Sequence, residues 1–147
     1  MVTIRRMASK DQYLDHLANV SIFSNCTKKD LQHIAKAAEE ITVPAGTVLV
    51  DQGQAGREAY IIVEGNATVR RNGKKITTLG PGAIVGELSL LDRGPRTATV
   101  AADTDLTVLL IDQRHFAPLI DSVPALAHKL LSALAGRIRD LDRQTFG

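Results

Sequence analysis

Residues 59–79 read Ala-Tyr-Ile-Ile-Val-Glu-Gly-Asn-Ala-Thr-Val-Arg-Arg-Asn-Gly-Lys-Lys-Ile-Thr-Thr-Leu, and this stretch decides the fold. Short runs of β-branched and aliphatic residues at 59–63, 67–71 and 76–79 alternate with turn residues at 64–66 and at Asn72-Gly73. Asn-Gly is a strong hairpin signal, because a type I′ turn requires positive φ at both of its central residues. The stretch therefore predicts consecutive antiparallel strands.

Similar runs lie on both sides of this stretch. Residues 41–43 and 47–50 precede it, and residues 97–101 and 106–111 follow it. Many short strands separated by turns favour an antiparallel sandwich or barrel over a parallel sheet. We therefore predict an antiparallel β-roll, a jelly-roll-like barrel, over about residues 41–112.

Helical patterns flank the predicted roll. At the N-terminal end, helices are predicted over about residues 7–39. Leu14, Leu17 and Val20 recur at a spacing of three, which indicates a first short helix. Thr27 and Asp30 form a capping-box pattern at the start of a second one. At the C-terminal end, about residues 114–143, Pro124 suits the first turn of a long helix. Its apolar stripe is Leu126, Leu130, Leu134, Ile138 and Leu141. Such a stripe must be buried, either against the roll or against a second copy of the chain. The fold class is mixed α+β, in a single domain over residues 1–147.

Composition excludes several classes of protein. The chain has 147 residues, of which 44% are hydrophobic and 23% charged, and its net charge is +2. These values fit one soluble domain, and they exclude a wholly disordered chain. There is no apolar run of the roughly 18 residues that span a bilayer, and no secretory signal. Cys26 is the one cysteine, so no internal disulfide forms, and we expect a cytoplasmic protein.

Catalysis and metal binding have little support in the sequence. The four histidines have no ligand-like spacing with Asp, Glu or Cys, so no metal site is predicted. No nucleophile–base pattern and no pair of acid–base carboxylates stands out, so we expect a protein that is not an enzyme. With no Trp, three Phe and two Tyr, the chain also lacks the aromatic residues that single-stranded nucleic acid requires.

Residues 80–98 interrupt the strand pattern and carry the candidate chemistry. Gly86 permits a sharp turn, and one helical turn over 87–91 would present backbone N–H groups to an anion. Arg96 offers a rigid fork of donors for phosphate oxygens, and Glu87 can accept a hydrogen bond from a sugar hydroxyl. The segment predicts a pocket for a ribose phosphate. The alternative is a structural ion pair between Glu87 and Arg96 that closes a loop.

The motif Gly-Glu-Leu-Ser-Leu at 86–90, followed by Pro-Arg-Thr-Ala at 95–98, resembles the phosphate-binding cassette of the cyclic nucleotide-binding domain family. That family includes sensor domains of bacterial cAMP-receptor transcription factors, kinase regulatory subunits and nucleotide-gated channels. The resemblance extends over about residues 20–143. It includes Gln52-Gly53 in the early strands and Leu-Gly-Pro-Gly at 79–82.

The resemblance implies a role for each cassette residue. Glu87 would accept the ribose 2′-hydroxyl, and Arg96 would pair with the cyclic phosphate. Backbone groups near Leu88, Ser89 and Thr97 would assist Arg96. The remaining implied ligand-binding residues are Val85, Gly86 and Ala98, and Arg137 or Arg139 of the last helix would cover the base. The implied ligand is cAMP, with cGMP as an alternative because the Thr97 hydroxyl can favour guanine.

The function implied by the resemblance is that of a sensor. A regulatory subunit or adaptor would change conformation on binding cAMP and signal to an unidentified effector protein. The alternatives are a scaffold subunit in which ligand is optional, and the sensor part of a transcription regulator. Since the sequence ends at Gly147 after the last helix, we expect a free-standing protein without a helix-turn-helix. We expect no DNA binding and no membrane insertion, and a homodimer through the C-terminal helix is possible.

Overall fold

The computed structural model describes residues 3–4, 17–18, 23–86 and 95–146, excluding the side chains of residues 3, 4, 133, 137 and 140–146. Short antiparallel strands dominate these ranges. They are β1 (Thr3–Ile4), β2 (Glu39–Val43), β3 (Val48–Val50), β4 (Glu58–Glu64), β5 (Ala67–Arg71), β6 (Lys74–Leu79), β7 (Ile84–Val85), β8 (Thr99–Ala102) and β9 (Leu106–Asp112).

The strands form two sheets. One has the order β1-β2-β9-β4-β7, and the other has the order β3-β8-β5-β6. Every pairing between neighbouring strands is antiparallel. The predicted β-roll of a mixed α+β protein is therefore confirmed.

The β5–β6 hairpin has the predicted turn. Arg71 pairs with Lys74 across it, so Asn72 and Gly73 are its two central residues. Their φ angles are 54° and 79°, both in the left-handed region that this turn requires. The turn sets the register of the two strands and places Arg71 beside the hairpin tip.

Three helices flank the sheets in the described ranges: α1 (Lys28–Ala37), α2 (Gln113–Ser122) and α3 (Pro124–Phe146). Thr27 and Asp30 form the predicted capping box at the start of α1. Pro124 is the first residue of α3, where its missing N–H costs no helical hydrogen bond. The first part of the predicted N-terminal helical region, about residues 7–20, lies outside the described residues except for residues 17 and 18. These two are helical, and Leu17 is fully buried.

Two apolar cores lie on opposite faces of the first sheet. In β4, Ala59, Ile61 and Val63 pack against the core that includes α1, α2 and the start of α3. Tyr60 and Ile62 face the second core, between the two sheets. This alternation follows from the period of two in a strand, and it directs the side chains of even-numbered β4 residues toward the space between the sheets.

The structure corrects three sequence predictions. The strand predicted at 97–101 begins at Thr99, and the two-residue strand β7 was not predicted. The apolar stripe of the last helix does not count among these corrections: Leu126 and Leu130 are buried and Ile138 is 59% exposed, so burial of the rest of the stripe against a second copy stays a prediction. Both C-terminal helices extend beyond the predicted 114–143. Within the described ranges, no helix is both long and apolar enough to cross a membrane.

Candidate functional site

Gly86, the first residue of the cassette (residues 86–98), lies in close contact with Arg96 near its other end. Val85 pairs with Tyr60 of β4, and the chain then turns at Gly86, which has φ +84°. A Cβ atom at Gly86 would collide with Nη1 of Arg96 and lie 3.0 Å from the carbonyl oxygen of Glu58. Glycine is therefore required here for two reasons, the backbone conformation and the approach of the guanidinium group.

The Arg96 side chain is buried, with only 8% of its surface exposed. Its Nη1 donates to the carbonyl oxygen of Gly86 at 3.0 Å, and its Nη2 donates to the carbonyl oxygen of Glu58 at 2.8 Å. Because arginine keeps its charge at any physiological pH, these contacts place a permanent cation between β4 and the start of the cassette. The arrangement can bind an anion.

The main chain of Arg96 is held by the loop that follows β3. Its carbonyl oxygen accepts from the Gly53 N–H at 2.9 Å, and its own N–H donates to the carbonyl oxygen of Gln54 at 2.9 Å. An isolated antiparallel bridge between Ala55 and Pro95 extends this pairing. Both backbone polar groups of Arg96 are thus satisfied by the loop after β3.

A carboxylate–phenol pair lies next to Arg96. The Tyr60 hydroxyl donates to Oε2 of Glu58 at 3.0 Å. Burial raises the pKa of Tyr60 to about 12, with further contributions from the Glu58 charge and this hydrogen bond, and the positive charge of Arg96 acts in the opposite direction. The Glu58–Tyr60 pair therefore belongs to the same electrostatic environment as the guanidinium group.

The predicted site residues are distributed unevenly in the structure. Val85 and Ala98 are buried, and Thr97 is exposed. Glu87, Leu88 and Ser89 lie outside the described residues, as does the Arg137 side chain, and Arg139 is exposed on α3. Their roles in binding a ligand remain predictions.

Glu58 was not identified from the sequence. Its contribution to the site is a backbone carbonyl oxygen, which every residue has, so its identity carries no signal. The Glu58–Tyr60 pair was detectable in principle, because residues two apart on a strand point to the same face. Among the described residues, no group of three His, Cys, Asp or Glu is arranged to hold a metal ion.

Sequence comparison identifies the class of protein that this geometry suggests. The profile of the cyclic nucleotide-binding domain family matches residues 40–123, more than half of the chain. The matched region includes Gly86, Arg96 and the strands that position them. The chain therefore belongs to the cyclic nucleotide-binding domain family.

The relatives that match this chain differ in length. The chain is 34% identical over 104 residues to the cyclic AMP receptor protein of Thermus thermophilus, covering 67% of this chain and 48% of the relative. It is 37% identical over 109 residues to the cAMP-dependent protein kinase regulatory subunit of Schizosaccharomyces pombe, covering 74% and 26%. The chain thus spans about half the length of the first relative and about a quarter of the second.

A solved structure gives the same result. The catabolite activator protein of Thermus thermophilus superposes with a TM-score of 0.78 at 29% sequence identity. The superposition covers 84% of this chain and 61% of that protein. This superposition supports the fold assignment independently of the local motif.

Proposed function

We propose that this protein is a cyclic nucleotide sensor that binds cAMP and acts in the cytoplasm as a regulatory subunit or adaptor for an effector protein. The observation that carries the proposal is the buried Arg96 guanidinium, fixed by the carbonyl oxygens of Gly86 and Glu58 in the region that matches the family. Both sequence relatives are named for cyclic AMP, as a receptor protein and as a regulatory subunit of a cAMP-dependent kinase, which favours that nucleotide.

The chemistry of the site suits a cyclic phosphate. The planar guanidinium group can approach two phosphate oxygens together, and such charge-assisted bonds are stronger than neutral ones. Because Arg96 is almost entirely shielded from solvent, its attraction to an anion is screened less than at the surface. Glu87 is proposed to accept the ribose hydroxyl, and Val85, Gly86, Leu88, Ser89, Thr97 and Ala98 are proposed to line the same pocket.

Signalling requires that bound nucleotide favour one conformation over another. We propose that α3 moves toward the cassette in the bound state, where Arg139 or Arg137 covers the base. Contacts made only in that closed arrangement would shift the population toward it. An effector protein that recognises the closed arrangement would then read the nucleotide concentration.

Calorimetric titration with cAMP and cGMP tests the proposal directly. Wild-type protein is expected to bind cAMP more tightly than cGMP. Equal affinities, or a preference for cGMP, would contradict this selectivity and favour the alternative in which the Thr97 hydroxyl selects guanine. Arg96→Ala is expected to weaken binding by about 30- to 5,000-fold, the scale of truncating one member of a buried charged pair. Arg70→Ala, an exposed charge on β5, serves as a control and should leave affinity within about twofold.

The same titration distinguishes the sensor function from the alternative of a scaffold subunit. A folded wild-type protein that binds neither nucleotide would contradict the sensor proposal and favour a scaffold subunit that works through protein contacts. Binding that survives in folded Arg96→Ala would contradict the assignment of the phosphate site. Circular dichroism of each variant establishes that it is folded.

We also propose that α3 mediates self-association. Leu131 and Ile138 are 66% and 59% exposed, and their spacing of seven places them on one face of the helix. Light scattering should show a dimer in the wild type and a monomer in Leu131→Asp. A wild-type monomer with and without cAMP would contradict this part of the proposal.

A further inference from the structure

The β5–β6 hairpin is attached to the cassette by exposed side chains. Nε of Arg71 donates to the carbonyl oxygen of Thr97 at 3.1 Å. Thr97 directly follows Arg96, and Arg71 directly precedes the hairpin turn. This hydrogen bond therefore joins the hairpin tip to the residue next to the proposed phosphate-binding cation.

A reciprocal pair of hydrogen bonds attaches the same hairpin to the loop after β3. Nε2 of Gln52 donates to Oδ1 of Asn72 at 2.9 Å, and the Asn72 N–H donates to Oε1 of Gln52 at 2.8 Å. The Gln52 N–H also donates to Oγ1 of Thr99 at 3.0 Å. Gly53 and Gln54, which follow Gln52, are hydrogen-bonded to the main chain of Arg96. The hairpin is therefore linked to Arg96 indirectly by two routes, one through Thr97 and one through the loop after β3.

We infer that Arg71 is a positioning residue for the phosphate site: its hydrogen bond to the Thr97 carbonyl fixes the orientation of the Arg96–Thr97 backbone. This inference rests on the proposed function, since it concerns how the same site is kept in place. Arg71 acts through Thr97 and Arg96 and is assigned no contact with the nucleotide.

The location of these bonds explains why they matter. Residues 95–98 lie outside the regular strand pairing of β8, which begins at Thr99. Their orientation therefore depends on individual contacts, among them those from Gly53, Gln54 and Arg71. Arg71, Gln52, Asn72 and Thr97 are all exposed, so packing constrains them less than it constrains Arg96.

Arg70 provides a matched control. It carries the same charge, is also exposed and precedes Arg71 on β5, but neighbouring residues of a strand point to opposite faces. Arg70→Ala and Arg71→Ala thus remove the same charge from almost the same place. Only the second variant removes the bond to Thr97.

The first experiment is calorimetric titration with cAMP. Arg71→Ala is expected to bind about 3- to 10-fold more weakly than wild type, the scale of one lost hydrogen bond, and Arg70→Ala within about twofold. Arg71→Lys, which retains a cationic donor, should recover most of the affinity. The difference between the two alanine variants should persist between roughly 0.05 and 0.5 M salt, whereas a long-range charge effect would be screened.

The second experiment measures amide hydrogen exchange in the protein without added nucleotide. Arg71→Ala should accelerate exchange of the Arg96 and Gly53 amides, which are hydrogen-bonded across the same junction, and Arg70→Ala should not. This readout concerns the orientation of the backbone and does not depend on nucleotide affinity.

The outcomes distinguish the two proposals. If wild type binds cAMP and Arg71→Ala matches Arg70→Ala in affinity, the positioning role is wrong and the sensor function stands. If wild type binds neither cAMP nor cGMP, the sensor function is wrong, and hydrogen exchange alone decides the positioning role. Unchanged exchange at Arg96 and Gly53 in Arg71→Ala would then overturn it.

Discussion

The carbonyl oxygen of Gly86 accepts a 3.0 Å hydrogen bond from Nη1 of Arg96, which joins the two ends of the cassette. The acceptor of Nη2, the Glu58 carbonyl oxygen, also belongs to the main chain. The backbone therefore positions the guanidinium group, with no second flexible side chain in these two contacts. Main-chain acceptors in a folded segment restrict the guanidinium group more than flexible side-chain acceptors would, because they have no rotamer freedom of their own.

Replacing Gly86 with alanine should disrupt this arrangement. The new Cβ would strain a residue at φ +84° and displace the Arg96 guanidinium. We expect stability to fall by about 1–2 kcal/mol from the backbone strain, and affinity for cAMP to fall about tenfold or more as the charge-assisted contacts shift. Calorimetric titration and urea unfolding measure the two effects.

Gly46→Ala is the control for backbone strain. Gly46 has φ +90°, yet a Cβ there would meet no atom within 4 Å. This variant should lose similar stability and keep its affinity for cAMP. Equal losses of affinity in Gly46→Ala and Gly86→Ala would show that the clash with Arg96 is unimportant.

Glu87→Ala should weaken cAMP binding less than Arg96→Ala. A carboxylate that accepts a hydrogen bond from a neutral sugar contributes about 1.5–3 kcal/mol, or about 12- to 160-fold in affinity. Titration of both folded variants gives their order. A Glu87→Ala protein that binds more weakly than Arg96→Ala would show that the phosphate is not the principal anchor.

Alkaline unfolding should report the environment of Tyr60. Its pKa rises from the ordinary 10 to about 12 on folding, chiefly because of burial. The folded protein thus retains a proton that the unfolded chain releases, so this stabilisation is complete below pH 10 and is lost as pH rises toward 12. Urea unfolding at several pH values should show a smaller decline for Tyr60→Phe than for wild type. Identical declines would contradict the prediction.

Asp112→Ala should destabilise the protein by about 1 kcal/mol, because Asp112 caps α2. Its Oδ1 accepts from the His115 N–H at 3.0 Å and lies 2.7 Å from Nδ1 of the same residue. Asp112→Asn should retain most of the stability, since asparagine is also a good N-cap. Equal losses in the two variants would show that the charge, and not the cap, is responsible.

The pKa of Asp112 predicts an acid dependence as well. Burial acts to raise it, but the hydrogen bonds from His115 and the nearby positive charges outweigh burial and lower it below 3.8. The folded state therefore favours the ionised carboxylate. This stabilisation is present above pH 3.8 and is lost as pH falls through the lowered pKa of Asp112. Asp112→Asn should show a shallower loss of stability in acid than wild type.

Two leucines of α3 should differ sharply in their effect on stability. Leu126 is fully buried, and its replacement by alanine should cost about 2–5 kcal/mol. Leu131→Ala, at a position that is 66% exposed, should change the unfolding free energy of the monomer by less than about 0.5 kcal/mol. A large loss for Leu131→Ala at low protein concentration would contradict the exposed position of this residue.

The features that the sequence predicted best depend on local chemistry. The Asn72-Gly73 turn requires positive φ at both residues, and the Thr27–Asp30 box requires side chains three residues apart. Pro124 at the start of α3 is a third local signal, because a proline suits the first turn of a helix. In each case the residue types that determine the structure are close in the chain, so the pattern is visible without the fold.

The features that the sequence did not predict depend on distant contacts. Residues 97–98 have the β-branched and apolar character of a strand, yet the strand begins at Thr99, and the preceding segment is bonded instead to Gly53, Gln54 and Arg71, which are distant in sequence. The exposure of Ile138 depends on distant contacts in the same way. Its spacing matches that of Leu126 and Leu130, but whether a side chain is buried depends on which other elements lie against it, and the local pattern does not determine this.

The partial burial of α3 gives this helix the geometry of a lever arm. Its base is fixed through Leu126 and Leu130, whereas Leu131 and Ile138 farther along are exposed. At a rise of about 1.5 Å per residue, the segment from 131 to 146 is about 24 Å long. A tilt of about 10° at the base would move its far end by about 4 Å, so a small displacement near the roll becomes a large one at the tip.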